Sequence, residues 1–242
     1  MKQLSRVLYP RKLKDAKEKV NLYTNLRNSD GKIHPRWNTI KHYGNTVVRD
    51  NLRLISHNCC CFCGCKVADS KMDVDHYLPS SQFPYLAYCW ENLIPTCKQC
   101  NQTLKGDYYP DSLKDLVIIE SCMTGEISHN HIYDKDKIFE LAKNDRIIDP
   151  TYDNVEDHLI FNPEFFSYQA KTNIGLKTNE MFFDREEVVR DLEGISNIAK
   201  AFVKEGSPKK LLIDIINLYG SEFYYYSFYE YWQAEKEAGR LR

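Results

Sequence analysis

The chain has 242 residues, 43% hydrophobic and 28% charged, with a formal net charge of −1 at pH 7. That is enough apolar content to bury a core, yet no run approaches the roughly eighteen apolar residues that a membrane-spanning helix needs. The first twenty residues lack an apolar stretch before a small-residue cleavage site, and the nine cysteines bunch in C-x-x-C pairs, so the expectation is metal binding in a reducing, cytoplasmic setting rather than a secreted disulfide framework.

Charge is unevenly spread. Residues 1–53 carry thirteen Lys/Arg against four Asp/Glu, a net of +9, which leaves −10 for the rest. A basic arm can meet phosphates and an acidic body is better suited to a protein partner, although any single lysine is as often just part of a solvated helix face. In chain order, residues 13–26 read as a helix and 28–36 as a loop. Residues 46–57 place apolar side chains at 47, 48, 52 and 55 and predict a helix leading into the first cysteine pair. Residues 71–76 and 92–94 are short strand candidates, and 97–104 reads as a helix ended near Gly106.

Residues 113–119 and 135–143 look helical or mixed, Asp149-Pro150 breaks the chain, and 157–161 is a short strand or turn. Residues 184–203 repeat apolar positions with helical spacing. Ser207 is a candidate N-cap before Pro208, and one or two helices follow to the C-terminus. The aromatic stretch 223–232 is more often core than partner surface or base-stacking platform.

The chemistry concentrates between residues 60 and 107. Cys60 and Cys63 form one C-x-x-C turn and Cys97 and Cys100 another, which together supply four tetrahedral ligands for a structural zinc. Such an ion closes off the thirty-three residues between Cys63 and Cys97 as a loop. Cys59, Cys61 and Cys65 are neighbouring thiols that offer alternatives to Cys60 or Cys63. Cys89 and Cys122 read as buried thiols.

Inside that loop Asp75 and His76 stand at the end of a predicted strand. A carboxylate suits Mg²⁺ or Mn²⁺, and an imidazole with a pKa near 6.5 can take a proton from water. Asn92 can hold His76 through an amide or backbone contact. Asn101, directly after the last zinc ligand, can be fixed beside the metal. A lone histidine near acids is usually an ordinary surface residue; the ordered set Cys-x-x-Cys, Asp-His, Asn, Cys-x-x-Cys-Asn and Lys is far more restrictive. His34, His42, His57, His129, His131 and His158 have no such setting.

The segments CCFCG, MDVDHYLP and ENLIPTCKQCNQTLKGD, roughly fifty residues, closely resemble the HNH endonuclease family. That resemblance implies a ββα-metal core, which the helical segments on either side make part of an α+β, mostly helical fold. It implies Asp75 and Asn101 as ligands of a catalytic Mg²⁺ or Mn²⁺, His76 as general base and Asn92 as the asparagine that positions it. It also implies Lys105 near the nucleic-acid backbone; Lys98, a basic side chain in the same segment, is a second candidate for holding that backbone. Asn101 stands where many members have His, a familiar variant.

The basic N-terminus with Pro10, the HNH block and residues 147–161 are similar, more narrowly, to the HNH subunits (the PtuB family) of Septu-type and retron-associated antiphage systems. That likeness implies an ATPase partner of the ABC/SMC-like PtuA type, and a structural or interface role for Asp149, Pro150, His158 and Leu159. The expected organisation is a basic helical region at 1–56, a zinc-stabilised core at 57–110 and a mostly helical, partner-binding region at 111–242. The expected activity is hydrolysis of nucleic acid, DNA more than RNA. The alternatives are a non-catalytic zinc-ribbon adaptor, a nuclease acting on tRNA, and a stand-alone restriction-type or homing enzyme.

Overall fold

The computed structural model describes residues 1, 3–6, 45–68, 71–83, 86, 89–117 and 135–241. The expected helix at 13–26, Pro10, most of the basic arm, Cys122, His34, His42, His129 and His131 lie outside the described residues.

Helix α1 (Asn45–Ser56) carries Val48, Leu52 and Ile55 on one face. The i, i+4, i+7 spacing aligns them into a stripe, which packs on Trp90, Leu93 and Val74. Strand β1 (Asp73–His76) pairs antiparallel with β2 (Leu93–Thr96), with Asp73 opposite Thr96 and His76 opposite Leu93. The second strand therefore starts at Leu93 and not at the expected residue 92. Asn92 belongs to a 3-10 turn, Trp90–Asn92, where its side chain binds backbone instead of joining the ladder.

The helix expected from Cys97 begins at Gln99 and runs to Lys105 as a π-helical turn. Its wider winding is visible where the Gly106 N–H bonds the Asn101 carbonyl at 2.8 Å. Such turns interrupt regular helix at a cost and gather at functional sites. The Cys100 N–H donates to Cys97 Sγ at 3.5 Å, so a candidate ligand also caps the turn.

After a 3-10 turn at Asp111–Leu116 come α2 (Lys135–Leu141), the single turn α3 (Val155–His158) and the hairpin β3 (Leu159–Asn162) with β4 (Ser167–Ala170). Four helices follow: α4 (Asn173–Phe182), α5 (Glu186–Glu205), α6 (Lys209–Tyr219) and α7 (Glu222–Glu237). Thr172 caps α4 by accepting from Gly175 N, and Gly206, at φ 67°, ends α5 in the left-handed conformation. Pro208, not Ser207, holds the cap position of α6, without a side-chain cap bond. Proline's fixed φ suits the helix entrance, and Leu211 N donates to its carbonyl at 3.0 Å.

The fold is thus α+β and mostly helical, with a ββ-plus-helical-turn core. One cluster of buried side chains runs through both the cysteine-bearing segment and the C-terminal helices. In it Phe62 stacks on Phe182 with ring centroids 4.1 Å apart. Tyr224 and Phe228 of the aromatic stretch are buried in the same cluster, so that part of the stretch is core.

Candidate metal centre and active site

The first cysteine turn is shaped by its backbone. Cys60 N bonds Cys65 O, Gly64 N bonds Cys60 O, and Gly64 takes φ +75°, a conformation that glycine adopts without strain. Cys61 N reaches Pro95 O at 2.9 Å and fastens the turn to β2. The result places the sulfurs of Cys60, Cys63, Cys97 and Cys100 within 4.8 Å of one another. Cys63 Sγ and Cys97 Sγ are 3.8 Å apart, the edge of a tetrahedron whose metal–sulfur bonds are about 2.3 Å.

Hydrogen bonds from Cys100, Cys60, Cys63 and Cys65 hold Cys97 far below an ordinary thiol. Contact with the other sulfurs pushes Cys100 up, and burial pushes Cys60 up. A soft dication stabilises all four as thiolates. These four could hold a zinc ion; Cys65 and Cys59 stand beside them, half-buried.

Asp73 and Asp75 share one face of β1, and Val74 and His76 share the other. Asp75 is buried. Its Oδ1 accepts from Lys105 Nζ at 3.0 Å, and its Oδ2, also buried, has no hydrogen-bond partner among the described residues. Burial raises the Asp75 carboxyl to about 6, with Lys105 pulling against it. A buried oxygen of this kind is costly unless something positive meets it, so Asp75 fits a hard divalent cation.

Lys105 is itself 3% exposed, and it also donates to His76 O at 2.7 Å. That corrects the expectation that Lys105 meets nucleic acid: its ammonium is spent inside, on the strand that carries Asp75 and His76. Lys98 is exposed at the entrance of the π-helical turn, where a phosphate can reach it.

His76 is buried at the end of β1. Asn92, fully buried, makes three side-chain bonds, all to backbone: Oδ1 accepts from Leu78 N at 2.8 Å, and Nδ2 donates to Leu78 O at 2.9 Å and Leu86 O at 3.3 Å. Tyr77 N adds a bond to Asn92 O at 2.7 Å. Asn92 thus fixes the chain immediately after His76. Asn101 bonds Asp73 through its amide nitrogen, at 3.1 Å.

Behind the hairpin lies a network that spacing alone did not reveal. Arg6 donates to Trp90 O, Glu91 O and Leu93 O at 2.6–2.9 Å and to Thr151 Oγ1 at 2.8 Å. Asp149, fully buried, accepts from Lys135 Nζ at 2.6 Å and from Thr151, and Arg146 forks onto Asp153. Burial raises the Asp149 carboxyl, but the cations Lys135 and Arg6 outweigh it and hold the group below its usual range. His158 Nδ1 is 2.8 Å from Thr172 Oγ1, the cap of α4. Asp149 and His158 are therefore tied into packing rather than presented to a substrate. The signal for Arg6 is only the basic N-terminus; nothing in the sequence says which basic residue turns inward.

Residues 60–106 match the HNH endonuclease family. The chain carries an HNH domain. It is 35% identical over 92 residues to Septu protein PtuB of Bacillus thuringiensis, a match that covers 37% of this chain and 34% of that protein. It is also 33% identical over 60 residues to protein ea31 of Escherichia phage lambda, covering 25% and 20% respectively. The matches thus span about a third and a fifth of the two relatives' length. No solved structure matches the chain. The HNH domain coincides with the cysteine cluster, the β1–β2 hairpin and the π-helical turn, and among the described residues no helix is long and apolar enough to cross a membrane.

Proposed function

We propose that this chain is a metal-dependent nuclease that hydrolyses phosphodiester bonds of nucleic acid, DNA in preference to RNA. In this reading it is the effector of a Septu-type antiphage complex with an ATPase of the ABC/SMC-like class. The observation that carries the nuclease reading is Asp75 in an HNH hairpin, one oxygen bonded to Lys105 and the other buried and bare. The likeness to Septu protein PtuB supports the defence setting and the partner.

Zinc is assigned to Cys60, Cys63, Cys97 and Cys100 as a structural ion. Mg²⁺ or Mn²⁺ is assigned to Asp75 and Asn101, where such an ion supplies Lewis-acid stabilisation of the charge developing on the phosphate and the leaving oxygen. His76 takes the proton of the attacking water. Asn92 holds the chain after His76, and so the ring's starting point. Lys105 holds Asp75 and the His76 carbonyl. Lys98 and basic residues of the first fifty other than Arg6, which is turned inward, meet backbone phosphates, so affinity falls steeply with salt.

The test incubates the zinc-loaded chain, alone and with its ATPase partner, with plasmid DNA and with total tRNA in Mg²⁺ or Mn²⁺. Plasmid cleavage that disappears in His76→Ala, with zinc content and melting temperature unchanged, is the expected result. Full cleavage by that variant removes His76 from the base role. Cleavage of tRNA alone changes the substrate, and partner binding without cleavage of either substrate leaves an adaptor.

A further inference from the structure

Asp73 lies two residues before Asp75 on the same face of β1. Its Oδ2 accepts from Asn101 Nδ2 at 3.1 Å and from Gln102 Nε2 at 3.0 Å. Asn101 is already fixed in its backbone, with its N–H on Cys97 O at 3.0 Å and its carbonyl accepting from Gly106 N at 2.8 Å. What remains free is the rotation of its carboxamide, whose two ends differ: nitrogen only donates and oxygen only accepts.

An ionised carboxylate only accepts as well. Facing Asp73, the amide of Asn101 must turn its nitrogen inward, because the reverse orientation sets oxygen against a carboxylate. Oδ1 is thereby directed away from Asp73, and it is the one side-chain atom of an asparagine that a hard dication takes. Asp75 repeats the device, with Lys105 holding one oxygen and leaving the other bare.

We propose that Asp73 is a positioning residue for the divalent ion: it sets the flip of Asn101 so that the carbonyl oxygen is presented to an oxygen-preferring cation of the Mg²⁺ or Mn²⁺ class. Gln102 bonds the same Asp73 oxygen and steadies the carboxylate. The proposal rests on the reading of Asn101 as a ligand. Carboxylates that orient a ligand in this way typically contribute about ten- to hundred-fold to metal affinity.

The experiment measures Mn²⁺ binding to the zinc-loaded full chain by titration calorimetry and electron paramagnetic resonance, without substrate. Asp73→Ala weakens Mn²⁺ about ten- to hundred-fold while zinc content stays at the parent's value. Asp73→Asn, which still offers an oxygen to Asn101 Nδ2, stays close to the parent. Unchanged affinity in Asp73→Ala overturns the proposal. So does an Asp73→Asn as weak as Asp73→Ala, because charge and not orientation would then be what the ion needs.

The parent protein gives a second measure that needs no variant. One Nδ2 proton of Asn101, bonded to Asp73, exchanges slowly with solvent, and two equally fast protons overturn the assignment. Asn101→Ala separates the two levels of the argument. If it keeps full Mn²⁺ affinity, the reading of the ion site itself fails; if it loses affinity and Asp73→Ala does not, only the role of Asp73 fails.

Discussion

Asp75 and Lys105 form a buried pair in which the lysine side chain is fully covered and the aspartate nearly so. Removing one partner of such a pair strands a charge, which costs about 3–5 kcal/mol. The pH dependence follows from burial. The folded carboxyl titrates at about 6, above its ordinary 3.8, so its contribution to stability is complete below about pH 4 and is lost as pH rises through 6. In the zinc-loaded protein without Mg²⁺ or Mn²⁺, stability relative to Asp75→Asn should therefore fall by about 3 kcal/mol between pH 4 and 7. Urea unfolding across that range measures it. Saturating Mn²⁺ should flatten the fall, since a cation on Oδ2 favours the ionised form. A difference between the two proteins that does not change with pH would remove the burial argument. The sequence made Asp75 legible through the DVDH spacing. It did not make Lys105 legible as an internal residue, since a lysine reads as solvent-facing unless its partner is known, and the partner is thirty residues away. Asp73 was within reach of the sequence: a D-x-D in a strand places both carboxylates on one face.

At the scale of elements, the β1–β2 hairpin is short and owes its placement to what surrounds it. α1 covers one face with Val48, Leu52 and Ile55, and the π-helical turn covers the other. Arg6 clamps the backbone at Trp90, Glu91 and Leu93, on either side of Asn92, and lies over the Trp90 ring at 5.4 Å. A guanidinium spreads five N–H donors over a planar fork and here meets three carbonyls and the Thr151 hydroxyl; an ammonium has three donors on a single atom. Arg6→Ala should lower unfolding stability by about 2–4 kcal/mol, and Arg6→Lys should recover little of it, both read from denaturant midpoints. Recovery of full stability by lysine would mean that charge alone holds the segment. The helices at 45–56 and 186–205 follow from helical spacing, which is a local signal. The offset of the second strand and the π-helical turn are not local. Asn92 leaves the ladder because Leu78 and Leu86 take its amide, and the turn widens where cysteine spacing and Gly106 constrain it together.

At the scale of the molecule, the cysteine turn and the C-terminal helices are joined. Between α6 and α7, Gly220 sits at φ +76° and bridges to Cys65; Ser221 N reaches Gly64 O at 2.8 Å, and Lys66 N reaches Tyr219 O at 3.2 Å. A Cβ on Gly220 would lie 2.7 Å from Lys66 N and 3.1 Å from Cys59 Sγ, and Phe62 of the same turn stacks on Phe182 of α4. A metal bound by Cys60, Cys63, Cys97 and Cys100 therefore stabilises more than the loop it closes. It sets the surface on which α6 and α7 dock, and a structural zinc site contributes its binding energy to folding. Calorimetry of the zinc-loaded protein should show one cooperative transition. Chelation or Cys97→Ser should move that whole transition down and release one equivalent of zinc. Gly220→Ala should lower it by about 1–3 kcal/mol, the order expected for a strained left-handed backbone, while zinc is retained. Hydrogen exchange locates the effect: amides of α5 and α7 should lose protection when zinc is removed, although they lie outside the HNH segment. Two separate transitions, with the C-terminal helices indifferent to the chelator, would instead mean that residues 111–242 fold as a unit of their own and meet the cysteine turn only by contact.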